Sequence, residues 1–108
     1  MPFRTFLRAK IHRATVTAAD PDYVGSISVD PRLLAAAGIA PFEQVDVYDV
    51  DNGERLTTYA IAGAAGQICL NGAAARKVEI GHRVNVCCYA LLRDAEVDTH
   101  SPPIVICG

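Results

Sequence analysis

Short runs of alternating polar and apolar residues, separated by turn signals, constrain this chain more than any other feature. Residues 44–50 (QVDVYDV) and 55–61 (RLTTYAI) alternate with a period of two, and the Asn52-Gly53 pair between them is a strong hairpin signal. Strands are predicted at residues 5–17, 26–30, 44–50, 55–61, 67–70, 83–92 and 104–107. The chain is therefore expected to be mainly β.

Helical signals are few and short. Asp30 followed by Pro31 predicts the start of a helix that covers residues 32–37, and Gly38 predicts its end. Residues 73–78 form one further helical turn at most, while residues 18–23 and 93–103 are expected to be a turn and a loop. Six or seven short strands without a long amphipathic helix favour a small closed β-barrel of one domain, residues 1–108. Such a barrel has its active site at the rim or between subunits.

Composition excludes several classes of protein. The chain has 108 residues, of which 51% are hydrophobic and 20% charged, as in a compact globular protein. A net charge of -2 argues against a nucleic-acid partner. The absence of a long apolar stretch or an N-terminal apolar segment argues against membrane or secreted proteins, so we expect a cytoplasmic location. The four cysteines lack C-x-x-C spacing and are expected to be buried, reduced thiols rather than metal ligands.

Four segments together resemble the bacterial pyruvoyl-dependent aspartate 1-decarboxylases. They are RTFLRAKIHRATVTAAD (4–20), YVGSISVD (23–30), NGERLTTYAI (52–61) and NGAAA (71–75), in the order typical of that family. The resemblance implies a double-psi β-barrel and a homotetramer with active sites between subunits. It also implies a covalent pyruvoyl group derived from Ser26, with neither a metal nor pyridoxal phosphate.

By this resemblance, the chain cuts itself between Gly25 and Ser26 into residues 1–25 and 26–108. The Ser26 hydroxyl attacks the Gly25 carbonyl, and loss of ammonia leaves a pyruvoyl group. Its ketone condenses with the amine of L-aspartate and accepts the electron pair released with carbon dioxide. The product, β-alanine, supplies pantothenate and coenzyme A synthesis.

The resemblance also suggests which residues bind the substrate. Tyr59 matches the family's proton donor, and Arg55 matches the arginine that binds the substrate carboxylate, to which a planar guanidinium is well suited. Lys10 matches a lysine that holds substrate charge. His12 shares the predicted strand face with Lys10 and is ranked below it.

Thr58 is expected to act in self-cleavage, and Asn71 is a further candidate for the substrate site. Thr58 matches the threonine that hydrogen bonds the Gly25 carbonyl, and Asn71 matches an asparagine near the pyruvoyl group. Weaker candidates for the substrate pocket are Tyr23 and the amides of Ala73 and Ala74. Strict alternation puts Thr58 on the opposite side of its strand from Arg55 and Tyr59. Either the two functions use different sides of the strand, or a bulge intervenes.

Two other functions fit the same residues. A pyruvoyl decarboxylase acting on another acidic amino acid retains all of them, and a non-catalytic double-psi barrel serves as a binding module. Taken singly, the charged residues would be solvated strand faces, and His82 and His100 have no assigned role. Pro21 and Tyr48 depart from the family pattern, as does the short segment at 64–67. Whether an accessory maturation protein is needed is left open.

Overall fold

A computed structural model describes residues 2–108 of the protein as a mainly β fold with three short helices. The strands are β1 Phe3–Thr15, β2 Ala18–Asp20, β3 Ser26–Val29, β4 Gln44–Asp49, β5 Arg55–Ala62, β6 Ile68–Asn71, β7 Arg83–Arg93 and β8 Ile104–Ile106. The helices are α1 Pro31–Ala37, a 3₁₀ helix Gly72–Lys77 and α2 Asp94–Val97. No helix within residues 2–108 has the length and apolar character needed to cross a membrane. The predicted fold class is confirmed, with eight strands instead of six or seven.

The eight strands form one sheet in the order β2-β6-β3-β5-β4-β7-β1-β8. Three neighbouring pairs are parallel, namely β1 with β8, β2 with β6 and β3 with β5. β2 is at one end of the order and β1 is next to the other end, yet only Val16 and Thr17 separate them in the chain. Since the three Cα–Cα steps from Thr15 to Ala18 span at most about 11 Å, the sheet must curl to bring β1 and β2 together. The curled sheet is the barrel.

Strand β1 crosses the barrel and is bent by two irregularities. Its pairing with β7 shifts register between Leu7 and Ala9 and again between Ile11 and Ala14. Ala9 and Ile11 are fully buried, as the alternation predicts, whereas Leu7 lies before the first shift and is only half-buried. Such bulges increase strand twist and are frequent in closed barrels.

Two segments differ from the prediction. Residues 18–20 form β2, which pairs in parallel with β6 where a turn was expected, and residues 94–97 form α2 within the expected loop. The sequence of β2, Ala-Ala-Asp, has low strand propensity, so its conformation is set by the neighbouring strand. Three cysteines are buried as expected, but Cys107 follows the edge strand β8 and is exposed.

Asp30 connects β3, α1 and the short loop at 64–67. Its side chain caps α1 by accepting a hydrogen bond from the Arg32 amide at 2.9 Å, and its other oxygen accepts one from the Gly66 amide at 2.9 Å. The Arg32 side chain also pairs with it. These donors hold the pKa of Asp30 well below its usual range. The loop is thereby fixed against the end of β3.

Asp49 plays a similar role in the β4–β5 hairpin. It is 3% exposed and accepts hydrogen bonds from the Asp51 and Asn52 amides. Its second oxygen lies 2.7 Å from Nδ1 of His82, which precedes β7. The hydrogen bond to Asp49 raises the pKa of His82, and nearby acidic side chains add to the increase. His82 therefore has a structural role in joining the hairpin to β7.

We expect replacement of His82 by glutamine to weaken the fold in a pH-dependent way. A raised folded-state pKa means that protonated His82 contributes stability fully below its unfolded value, about 6.5, and loses this contribution as pH rises through the folded value. Urea unfolding of both proteins should therefore show a larger loss for His82→Gln at pH 6 than at pH 9. An equal loss at both pH values would contradict this assignment.

Candidate functional site

The predicted cleavage residue lies at the start of β3 with its hydroxyl buried. Ser26 is 1% exposed and pairs across the antiparallel β3–β6 ladder with Asn71, which is 2% exposed. The Asn71 side-chain amide donates a hydrogen bond from Nδ2 to Ser26 Oγ at 3.0 Å. An Asn-Gly pair is typical of a turn, whereas Asn71 ends β6 and points its amide at Ser26. The hydroxyl is thus fixed by a charge-neutral donor.

Two more polar residues occupy the same face of these strands. Ser28 pairs with Cys69 one step along the ladder, and Ser28 Oγ accepts a second hydrogen bond from Asn71 Nδ2 at 3.0 Å. The Cys69 thiol donates to Asn71 Oδ1 at a sulfur–oxygen distance of 3.2 Å. Burial raises the pKa of this thiol, and the nearby Asp20 carboxylate adds to the increase. Neither residue was predicted from the sequence, although period-two spacing puts Ser28 on the same strand face as Ser26, and Cys69 on the same face as Asn71.

Gly25 and Gly72 lie in close backbone contact beside Ser26. A Cβ atom added to Gly72 would lie 2.8 Å from Gly25 Cα and 3.2 Å from the Tyr23 carbonyl oxygen. Gly72 also has a φ of +64°, which side-chain-bearing residues rarely adopt. Gly72 therefore permits the 3₁₀ helix to approach the loop that carries Gly25, and a larger residue at position 72 would push the two apart.

An open pocket of about 280 Å³ lies between Gly25 and the 3₁₀ helix. Its lining residues are Gly25, Leu56, Thr57, Thr58, Asn71, Ala73, Ala74 and Lys77. Five of the predicted residues, Gly25, Thr58, Asn71, Ala73 and Ala74, are therefore brought together here. Tyr23 supplies its backbone to the same region, but its side chain is 53% exposed.

The remaining predicted residues lie on the outer side of the sheet. Arg55 stacks over the ring of Tyr48, with its guanidinium carbon 4.6 Å from the ring centre, and Tyr59 stacks on Phe42. Thr57 lies between them along β5 and donates to Asp46 on β4. This side continues across β7 to β1, where Lys10 pairs with Cys87. Neither the substrate-binding candidates Lys10 and Arg55 nor the proton-donor candidate Tyr59 lines the pocket beside Gly25.

Thr58 and Arg55 lie on opposite sides of β5. β5 pairs with β4 from Arg55 to Tyr59 without a register shift, so alternation is strict and no bulge intervenes. Thr58 and Arg55 therefore point to opposite sides of one strand. Tyr48, noted in the sequence only as a departure, has a definite contact because its ring supports Arg55. Its hydroxyl bonds that of Tyr89, and this bond raises the pKa of Tyr89.

His12 lies near Lys10 and is half-buried. Burial lowers the pKa of His12, and the charges of Lys10 and Arg13 lower it further, so its imidazole is neutral at pH 7. Within residues 2–108, no cluster of three or more His, Cys, Asp or Glu side chains is arranged to hold a metal ion.

The amino-acid sequence is similar to those of known proteins. A family model described as aspartate decarboxylase matches residues 2–108. The chain is 52% identical to the aspartate 1-decarboxylase of Methylibium petroleiphilum over 97% of this chain and 89% of that protein. It is 54% identical to the aspartate 1-decarboxylase of Desulfotalea psychrophila over 93% of this chain and 86% of that protein. The aspartate 1-decarboxylase of Neisseria meningitidis is 53% identical, with 96% and 84% covered.

We expect Gly72→Ala to destabilise the protein more than Gly53→Ala does. Both glycines have positive φ, but a Cβ at Gly53 would meet nothing within 4 Å, so this control costs only about 1 kcal/mol of backbone strain. A Cβ at Gly72 must also displace the Gly25 backbone, which we expect to cost about 2 kcal/mol or more. Urea unfolding gives both values, and equal losses would show that the contact with Gly25 is unimportant.

Proposed function

This chain belongs to the aspartate decarboxylase family, and on that basis we propose that it cleaves itself between Gly25 and Ser26 and then decarboxylates L-aspartate to β-alanine. The β-alanine would serve pantothenate and coenzyme A synthesis. The observation that carries the proposal is the buried Ser26 hydroxyl, held by the Asn71 amide at the residue that follows Gly25. A burial this complete removes water that would otherwise compete for the hydroxyl.

In the proposed cleavage, Ser26 Oγ bonds to the Gly25 carbonyl carbon and the peptide bond between the two residues breaks. The hydroxyl proton moves to the released amine, which gives an ester. Loss of the Ser26 Cα proton and of the Gly25 carboxylate then separates the chains. Addition of water and release of ammonia leave a ketone at residue 26. Asn71 Nδ2 supports the first step, because a donor on Oγ stabilises the oxygen as it loses its proton.

The Gly25 carbonyl must also be activated. Thr58 lines the pocket with Gly25, and we assign its hydroxyl to donate to the carbonyl oxygen as negative charge develops there. Gly72 allows the surrounding backbone to approach Gly25 closely. A glycine at position 25 lets the chain bend, since it has no Cβ to obstruct the attacking oxygen.

The residues around Ser26 fit a pyruvoyl group made from it. The Asn71 amide would remain beside the new group, and the pocket of about 280 Å³ next to Gly25 is of a size suited to a small amino acid. Once formed, the group supplies a ketone that takes up the electron pair released when the substrate carboxylate leaves. Ala73 and Ala74 line the pocket, and we assign their backbone amides to bind the substrate carboxylates.

We assign two roles to the residues on the outer side of the sheet. They select the substrate, and they complete the reaction. The Arg55 guanidinium, which lies over the ring of Tyr48, binds the side-chain carboxylate of aspartate. Lys10 contributes a second positive charge, and neutral His12 beside it assists in positioning. The Tyr59 hydroxyl supplies the proton that replaces carbon dioxide.

The position of the outer-side residues, opposite Thr58, supports an active site shared between copies of the chain. Lys10, Arg55 and Tyr59 lie on the outer side and do not line the pocket beside Gly25, although Thr57, between Arg55 and Tyr59, reaches its edge. A second copy that docks this side over the pocket would bring the two groups together, and closed symmetry would repeat the contact. We therefore propose a homotetramer with its active sites between subunits.

Intact-mass measurement under denaturing conditions tests self-cleavage. We expect two chains, residues 1–25 and the remaining 83 residues (108 minus 25), with the larger chain carrying a ketone in place of its terminal amine. Ser26→Ala should give one uncleaved chain because the attacking oxygen is missing. Thr58→Ala should be cleaved more slowly, by about tenfold or more for the loss of one donor. A parent chain that stays intact after long incubation would refute unassisted self-cleavage.

A mixing experiment tests the shared active site. Arg55→Ala should be cleaved normally but release carbon dioxide from aspartate poorly, whereas Ser26→Ala retains Arg55 but lacks the ketone. Co-expression of the two variants should restore activity at about a quarter of the sites, because random pairing places an intact residue 26 beside an intact Arg55 in that fraction.

The controls for this experiment are each variant alone and the parent assayed with glutamate. No restoration on co-expression would place Arg55 and residue 26 of the same chain in one site. Faster release of carbon dioxide from glutamate than from aspartate would favour a decarboxylase of another acidic amino acid.

A further inference from the structure

The Asn71 amide has two ends that differ in what they can do for Ser26. With Nδ2 toward Ser26, the amide donates a hydrogen bond and stabilises the oxygen as it attacks. With Oδ1 toward Ser26, the amide would accept a hydrogen bond from the hydroxyl and offer no donor to the attacking oxygen. The orientation of the amide therefore decides whether Asn71 assists cleavage.

Two neighbours bear on that orientation. The Cys69 thiol is a donor, and its acceptor is Asn71 Oδ1 at 3.2 Å, in preference to the Leu70 carbonyl oxygen at 3.8 Å. Ser28 Oγ takes the second Nδ2 hydrogen at 3.0 Å. All four side chains of this network, Ser26, Ser28, Cys69 and Asn71, are buried, so water does not substitute for any of the bonds.

We infer that Cys69 is a positioning residue for self-cleavage, because its thiol holds Asn71 Oδ1 and so keeps Asn71 Nδ2 directed at the Ser26 hydroxyl. The inference rests on the proposed cleavage between Gly25 and Ser26. Cys69 touches neither reacting atom and acts only through Asn71. Ser28 assists from the other side by occupying the remaining amide hydrogen.

The chemistry of the thiol suits this role. Burial raises the pKa of Cys69, so the group stays protonated and remains a donor near neutral pH. A thiolate at this position would repel Oδ1 and favour the opposite amide orientation. A thiol is also a weak acceptor, so the turned amide would gain little from an N–H bond to sulfur.

The test is the rate of cleavage of freshly made precursor. Parent, Cys69→Ala and Cys69→Ser chains are produced by cell-free synthesis, and the uncleaved fraction is followed by gel after synthesis is stopped. We expect Cys69→Ala to cleave about threefold to tenfold more slowly, as for loss of one neutral hydrogen bond. Cys69→Ser should recover most of the lost rate, since its hydroxyl restores a donor to Asn71 Oδ1.

Cys88→Ala is the matched control. Its thiol is 1% exposed in the barrel core and bonds the Gln44 carbonyl, so the change removes a comparable buried atom away from Ser26. We expect it to cleave at the parent rate. Unfolding midpoints of all variants are compared in chains that also carry Ser26→Ala, which keeps every precursor intact.

Each outcome is decisive. An unchanged rate in Cys69→Ala, while the parent cleaves, would overturn the role of Cys69 and leave the proposed function standing. Equal slowing in Cys69→Ala, Cys69→Ser and Cys88→Ala would also overturn it, because the effect would then follow stability. A parent that does not cleave would refute unassisted self-cleavage, and with it the role of Cys69 in that reaction.

Discussion

Burial of β3 between two other strands is the constraint on which the site depends. Its four residues are all buried, and they pair with β5 in parallel on one side and with β6 antiparallel on the other. Ile27, Ser28 and Val29 are thereby paired on both sides, so the strand has little freedom to shift. Ile27 and Val29 belong to the apolar core, while Ser26 and Ser28 share the opposite face with Asn71. The position of Ser26 follows from that of the strand.

A buried polar face of this kind is stable only when its groups bond one another, since each unsatisfied group costs free energy. The bonds among Ser26, Ser28, Cys69 and Asn71 meet this condition in the uncleaved chain. Under the proposed function, cleavage consumes the Ser26 hydroxyl but leaves Ser28 Oγ and the Cys69 thiol bonded to Asn71. The asparagine would then keep its place beside the new group. The network therefore suits both the precursor and the processed protein.

The sequence was sufficient where local chemistry determines the structure. The hairpin at Asn52-Gly53 and the caps of α1 at Asp30 and Gly38 were predicted, because turn and cap residues act on their immediate neighbours. β2 was missed, since its three residues become a strand only through pairing with β6. In the site, alternation along β5 placed Thr58 opposite Arg55, but the choice against a bulge required the register with β4. Cys69 and Ser28 were missed because their role depends on which strand lies beside which.

The strict alternation of β5 separates the residue proposed to assist self-cleavage from the residue proposed to bind the substrate. One side of the strand carries Thr58 toward Gly25, and the other carries Arg55, supported by Tyr48 on the neighbouring strand. A substitution at Tyr48 alters the surface beneath the guanidinium without touching Ser26 or Asn71. Distant sites of this kind usually contribute independently to free energy. Under the proposed function, the preference for a substrate carboxylate could therefore shift by changes around Arg55 while self-cleavage continued at its original rate. The short strand β3 offers no such freedom, since all four of its residues are buried.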